Sequence, residues 1–316
     1  MRVIEPVTID DVRAARRRIA PIVTRTPLLR LHVDAPVEIY LKLENLQPIG
    51  SFKLRGAANA IRLLPPDSLS RGVYTASAGN MAQGVAWGAR ELGVPCTVIM
   101  PDSAPRTKLD AVHRLGATIM KVPYDEWWQT LADHGRSGMP ATFIHPVADR
   151  AVMAANGTIG LEIVEDLPDV DAVLVPFGGG GLVTGIATAV RALASRSKVY
   201  GCEVATSTPL SAALRAGGPI VVERIPSFVD GIGGRGVLPE MWPLVSSVVD
   251  GALVASLDDV GAAVRLLVER ARIVAEGAGA TSVACALAGA GTHGKVVCVV
   301  SGGNIDTGTL IELLSA

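Results

Sequence analysis

Two kinds of apolar pattern alternate along the chain. Short, mostly apolar runs predict strands over residues 37–43, 72–76, 96–100, 118–122, 171–176, 198–203, 251–254 and 295–300. Between them, apolar residues recurring every three or four positions predict helices over 9–20, 52–64, 81–92, 104–115, 157–167, 182–194, 257–272 and 279–288, with a short helix at the C-terminus. Thr8 stands where an N-cap for the first helix belongs, and Pro65-Pro66 ends the helix that starts at Phe52. Strand and helix patterns alternate along the chain, and the short strands are mostly apolar, as in strands covered on both faces, so the fold class is α/β with largely parallel sheet and flanking helices.

The same pattern divides the chain. A length of 316 residues suggests two domains. The Pro65-Pro66 pair marks a hinge, and residues 66–147 read as a compact four-stranded α/β unit. Residues 1–65 and 148–316 then form the two parts of a larger unit, with an irregular Gly/Pro-rich section over 216–239. No internal repeat, coiled coil or low-complexity tract interrupts this reading.

Composition removes several classes of function. Hydrophobic residues make up 49% and charged residues 19%, with a net charge of −1, which leaves no basic surplus for nucleic acid and no acidic tail. The N-terminus carries early acidic residues and no secretory apolar core, so a cytoplasmic location is expected. The uncharged stretch 172–190 is long enough to span a membrane, but Pro176 and five glycines argue against it. Cys96, Cys202, Cys285 and Cys298 lie singly in apolar settings and read as buried reduced thiols; the five histidines show no metal-binding spacing, so no zinc site is expected.

Four polar loops sit at predicted strand ends or helix starts: Ser51-Phe52-Lys53, Ser77-Ala78-Gly79-Asn80, Gly178-Gly179-Gly180-Gly181 and Ser301-Gly302-Gly303-Asn304. Ligands of open α/β sheets collect at the carboxyl ends of the strands, so the four loops can share one crevice. The tetraglycine loop presents backbone N–H groups and the positive end of a helix beginning at Leu182 to one point, a fitting site for phosphate; a close strand-to-helix packing turn is the other reading. Glu203 ends the next strand about twenty residues on, as in a dinucleotide site, but residues 178–185 give no GxGxxG register. The stretch 289–296, GAGTHGKV, has P-loop spacing, yet it carries Val296 in place of a magnesium-binding hydroxyl and precedes a strand. Lys53 lies between Phe52 and Leu54. A desolvated lysine and a phosphate site together suit a phosphorylated aldehyde held as a Schiff base, and pyridoxal phosphate is the common cofactor that needs both.

Lys53 in GSFKLRGAAN, Ser77–Asn80 as SAGN, the GGGG run and SGGNID, in that order along the chain, resemble the fold type II pyridoxal-phosphate enzymes, specifically the threonine/serine dehydratase and serine racemase group. The resemblance runs from Arg25-Thr26-Pro27-Leu28 to Asp306. It implies two open, twisted, mostly parallel sheets flanked by helices, as in the tryptophan synthase β fold, with the cofactor held by the larger domain and a small mobile domain over 66–147. It also implies Lys53 as the Schiff-base lysine and general base, with Phe52 beside the ring. Asn80 would meet the phenolic oxygen, Gly178, Gly179, Gly180, Gly181 and Leu182 the phosphate, and Ser301 the pyridine nitrogen. Ser77, Ala78, Gly79, Asn80 and Met81 would receive the substrate carboxylate. The implied activity is β-elimination from a β-hydroxy amino acid such as L-threonine or L-serine, giving a 2-oxo acid and ammonia, in a homodimeric enzyme.

Several positions depart from the family. Ala78 replaces the second serine that serves as the opposite-face acid/base in racemases, which favours dehydration. Met81 replaces the usual histidine, and Asn156-Gly157-Thr158 the usual Gln-Gly-Thr. The family's cation site would use Glu203, but Pro209 stands where a second acid belongs. Glu276 and Asp230-Gly231 match positions near the cofactor, Glu276 reading equally as a helix start. Racemisation or β-replacement on the same cofactor stays open, as does, outside this class, a nucleotide-binding oxidoreductase or sensor built on residues 171–203.

Overall fold

The computed structural model describes residues 2–289 and 293–316. Among them the strands are β1 (Leu28–Leu31), β2 (Glu38–Lys42), β3 (Val73–Ala76), β4 (Cys96–Pro101), β5 (Thr118–Val122), β6 (Thr142–Phe143), β7 (Ala172–Pro176), β8 (Lys198–Val204), β9 (Gly251–Ala255) and β10 (Lys295–Val299). They form two sheets. One has the order β1-β2-β10-β7-β8-β9, parallel except for the antiparallel β1 edge, and the other is all parallel in the order β5-β4-β3-β6. The central strands β3 and β7 are buried at every position, which accounts for the apolar sequence of β7 and of β3 apart from Thr75, whose hydroxyl donates to the Ile144 carbonyl at 2.9 Å. Part of the P-loop-like stretch 289–296 lies outside the described residues.

The pattern missed elements for identifiable reasons. The helix Arg150–Asp166 begins seven residues before the predicted start, opened by Asp149, whose Oδ1 accepts from the Ala151 amide at 2.8 Å. From Val152 to Ile163 it is buried all round, so it shows no amphipathic stripe. The edge elements β1 and β6, and the helices Tyr124–Ala132, Pro209–Ala216 and Trp242–Val248, are too short or too exposed to give a clear period. The predicted helix 257–272 is α-helical only to Leu266 and continues as a π-helical turn over Leu267–Ala271.

The helix Lys53–Arg62 packs against the helix Asn80–Glu91, which belongs to the four-stranded unit. A Cβ at Gly84 would lie 3.0 Å from the Lys53 carbonyl oxygen, so glycine permits this close approach. Away from the loops, the same helix anchors a buried ion network. Arg55 meets Glu44 and Glu162, each at 2.7 Å, and Lys42 meets Glu162 at 2.6 Å. All four side chains are buried, and Thr26 completes the network by donating to Glu44 at 2.6 Å.

Candidate active site

Three loops of the larger sheet and one of the smaller meet at the carboxyl ends of their strands. The loop before Lys53 is tied to the loop after β10: the Phe52 amide donates to the Ser301 carbonyl at 3.0 Å, and the Gly303 amide to the Gly50 carbonyl at 2.9 Å. Residues 77–79 leave β3 and open the Asn80–Glu91 helix, with the Gly79 amide donating to Ser77 Oγ at 3.2 Å. Residues 178–180 leave β7 and open the helix Gly181–Leu193. Between them lies a cavity of about 530 Å³, lined by Phe52, Lys53, all five residues of Ser77–Met81, the four glycines, Leu182 and Ser301. Every residue singled out in the four loops for cofactor or substrate is therefore on its wall.

Lys53 is the first residue of its helix, and its amine donates to the Pro146 carbonyl at 2.8 Å while lying 5.1 Å from the Phe52 ring centre. Among the described residues it has no ion-pair partner. Burial pushes its pKa down to about 8, with the Glu276 carboxylate pulling weakly the other way. About a tenth of the amine is then neutral and nucleophilic at pH 7, against well under a hundredth for an ordinary lysine.

The tetraglycine loop satisfies both readings of its sequence. A Cβ would fall 2.7 Å from a Val147 methyl at Gly179, 2.5 Å from a Val245 methyl at Gly180 and 2.8 Å from the Val147 carbonyl at Gly181. Gly180 also has φ +96°, so packing and conformation both require glycine there. The amides remain unspent: among the described residues, those of Gly179, Gly180, Gly181 and Leu182 donate to no protein acceptor. They converge with the positive end of the Gly181–Leu193 helix, opposite a lysine amine. This donor set fits a phosphorylated aldehyde: an anion for the free amides, a carbonyl carbon for the amine.

Asn80 is held on both sides. Its Nδ2 donates to Glu276 Oε1 at 2.8 Å and its Oδ1 accepts from Asn304 Nδ2 at 2.7 Å. Glu276 is 7% exposed; burial pushes its pKa up to about 7, and the charge of Asp230 adds to the effect. Asp230 in turn pairs with Lys108, from the four-stranded unit, at 2.6 Å, and Thr107 donates to Asp306 at 3.2 Å, so two contacts cross the mouth of the cavity. Ser301 is buried at the end of β10, and Met81, 2% exposed, backs the wall from the core.

Lys108, Pro146, Val147 and Trp127 also line the cavity, although nothing local in the sequence marks them. The indole nitrogen of Trp127 is buried without a partner. Glu203 lies elsewhere. Its carboxylate caps the helix Pro209–Ala216, accepting from the Leu210 and Ser211 amides at 2.6 and 2.9 Å and from the Ser211 hydroxyl at 2.6 Å. Among the described residues no group of three or more His, Cys, Asp or Glu is placed to hold a metal ion. The thiols of Cys202, Cys285 and Cys298 are buried, and Cys96 is partly so.

Comparison with known proteins agrees with this geometry. Residues 19–302 match the family described as pyridoxal-phosphate dependent enzyme. An L-threonine ammonia-lyase of Thermotoga maritima is 41% identical over 316 residues, an alignment covering 98% of this chain and 78% of that protein. Maize serine racemase superposes with a TM-score of 0.90 at 30% identity, covering 98% of both chains. The processed form of threonine deaminase isoform 2 from Solanum lycopersicum superposes with a TM-score of 0.86 at 28% identity, covering 100% of this chain and 96% of that one.

Proposed function

We propose, for a chain that belongs to the pyridoxal-phosphate dependent enzyme family, that it catalyses β-elimination from a β-hydroxy amino acid such as L-threonine or L-serine, releasing a 2-oxo acid and ammonia. One observation carries the reading: an amine with no ion-pair partner, its pKa lowered to about 8, shares a cavity with four amides that have no acceptor. The curated relative is an ammonia-lyase, which supports the same reaction.

Pyridoxal phosphate, when bound, supplies an aldehyde that captures amines and a ring that draws electrons from the carbon next to the captured nitrogen. In this proposal Lys53 holds the aldehyde, the amides of the tetraglycine loop and Leu182 hold the phosphate, and Phe52 packs beside the ring. Asn80 donates to the phenolic oxygen. Ser301 offers the pyridine nitrogen a hydroxyl rather than a carboxylate, which does not enforce protonation of the ring, so prompt loss of a β-substituent is favoured over transamination. The substrate carboxylate is received by residues 77–81, at the N-terminus of the Asn80–Glu91 helix, where anions are stabilised.

Once a substrate's amine has taken its place, Lys53 would be a free base on the cavity wall, placed to take the α-proton. The C–O bond to the β-carbon would then break, the hydroxyl leaving as water with the proton that Lys53 took from the α-carbon. Lys53, neutral again, would hold the aldehyde once more, and the enamine set free would tautomerise and hydrolyse to the 2-oxo acid and ammonia. Ala78 carries no proton donor for the opposite face, so racemisation is slow. Glu203 is taken up by a helix start, so no cation is assigned to it. Residues 66–147 form a small mobile domain, and 1–65 with 148–316 the cofactor domain. The family resemblance also supports a homodimer in the cytoplasm; no helix among the described residues is long and apolar enough to cross a membrane.

The test is a substrate panel. Holoenzyme given L-threonine or L-serine should release 2-oxo acid and ammonia in equal amounts. A D-amino acid without oxo acid would replace the lyase by a racemase, and protein that never takes up pyridoxal phosphate would remove the whole reading.

A further inference from the structure

The position of Glu276 is not explained by helix capping: it precedes the helix Gly277–Leu287, but its side chain makes no capping bond there. Instead Oε1 reaches across to Asn80, which belongs to the four-stranded unit, while Glu276 and Asn304 belong to the other. An ionised carboxylate can only accept, so it selects the nitrogen side of the Asn80 amide. Asn304 donates to the oxygen side, and Asn304 is itself held by donating to the Ile49 carbonyl at 2.9 Å. Two partners thus fix the same orientation and leave one Asn80 N–H without a protein acceptor, on a residue lining the cavity.

We propose that Glu276 is the positioning residue of this site: its carboxylate, with Asn304, sets the face of the Asn80 amide and holds the spare N–H for the cofactor's phenolic oxygen. This rests on the proposed function above. Space is tight enough to keep the carboxylate in place, since a Cβ on Gly302 would fall 2.4 Å from Glu276 Oε1 and one on Gly231 would fall 3.4 Å from it. The charged groups around it are Asp230, Lys108 and Lys53. Asp230 raises its pKa and Lys108 lowers it, so the Asp230–Lys108 pair across the cavity mouth tunes the proton on Glu276. Burial with Asp230 leaves that pKa at about 7, so the constraint on Asn80 is present above neutral pH and fades below it.

The experiment is a double-mutant cycle read by pyridoxal phosphate binding to apoprotein, followed by absorbance rather than turnover. Asn80→Ala and Glu276→Ala should each weaken binding about tenfold, and the double variant should bind no worse than Asn80→Ala alone, because Glu276 acts only through Asn80. Glu276→Gln keeps an acceptor and should bind within about threefold of wild type, and its change in affinity between pH 6 and 8 should be smaller than that of wild type by the part Glu276 contributes, the part due to Lys53 remaining. Losses that multiply in the double variant, or wild-type binding by Glu276→Ala, overturn the proposal. Thermal unfolding of each apoprotein separates a misfolded variant from a misplaced Asn80; Glu276→Gln, nearly the same shape, is expected to fold in any case. Wild-type protein that binds no pyridoxal phosphate overturns the proposed function itself, a different failure from an additive cycle in protein that binds it.

Discussion

Lys53 and Arg55 stand two residues apart at the start of one helix, Arg55 fully buried and Lys53 partly buried on the cavity wall, and they come to opposite ends. Two residues are about 200° of turn, so the two side chains leave the helix on different sides. Arg55 enters a network in which burial opposes its charge, yet Glu44 and Glu162 more than offset that and push its pKa above the ordinary value. Lys53 enters a cavity that provides one carbonyl and an aromatic ring, and its pKa falls to about 8. Burial with partners makes a charge structural; burial without them makes an amine reactive.

Breaking the comparison on the Lys53 side gives the largest effect. Lys53→Met should lower the rate of oxo-acid formation by at least about a thousandfold, since the base and the cofactor attachment go together. The same change should not destabilise the apoprotein. A lysine whose folded pKa is depressed from 10.5 to about 8 costs stability fully below pH 8, and the cost disappears as pH rises from 8 through 10.5. Removing the amine should therefore stabilise apoprotein at pH 7, by up to about 3 kcal/mol, which urea unfolding can measure.

On the Arg55 side the outcome is reversed. Arg55→Met strands Glu44 in the core and removes one of the two cations facing Glu162, at an expected cost of about 3–5 kcal/mol in urea unfolding. Any variant protein that folds should keep its cofactor-binding residues. A variant as stable as wild type would show that the network contributes specificity rather than stability.

A gentler test varies pH. In the proposed function it is neutral Lys53 that captures the aldehyde, so the rate of pyridoxal phosphate uptake by apoprotein should rise about tenfold per pH unit up to about pH 8 and then level off. A lysine at its ordinary value would keep gaining to beyond pH 10. The smallest effect is expected at the cavity mouth. Lys108 and Asp230 are both partly solvated, so Lys108→Ala should change unfolding free energy by less than about 1 kcal/mol, and any change in KM should shrink as salt is raised.

The two residues also show how much was legible in the sequence. Lys53 could be found because its neighbours are apolar and because glycine and serine motifs elsewhere specify a cofactor that needs a lysine. The alternation of apolar runs and helical periods located both sheets for the same kind of reason: short-range pattern reports local burial. Arg55 has nothing to distinguish it from a surface arginine, since its partners Glu44 and Glu162 are set by tertiary packing. The Glu276–Asn80–Asn304 chain and the crossing contacts of Lys108 and Thr107 were hidden likewise, each joining residues over a hundred positions apart. The tetraglycine loop lies between these cases: the run of glycines before a helix start, which suggests a phosphate site, is local, but the crowding by Val147 and Val245 that requires three of its glycines is not.

The central claim is that the cavity lysine with no ion-pair partner among the described residues is the one that carries the cofactor. Holoenzyme should absorb in a band at roughly 410–430 nm; treating it with borohydride and mapping the peptides by mass spectrometry reads the attachment directly. A pyridoxyl group on Lys53 alone is the predicted result. A label on Lys108 or another lysine, or none on protein that shows the band, would contradict it.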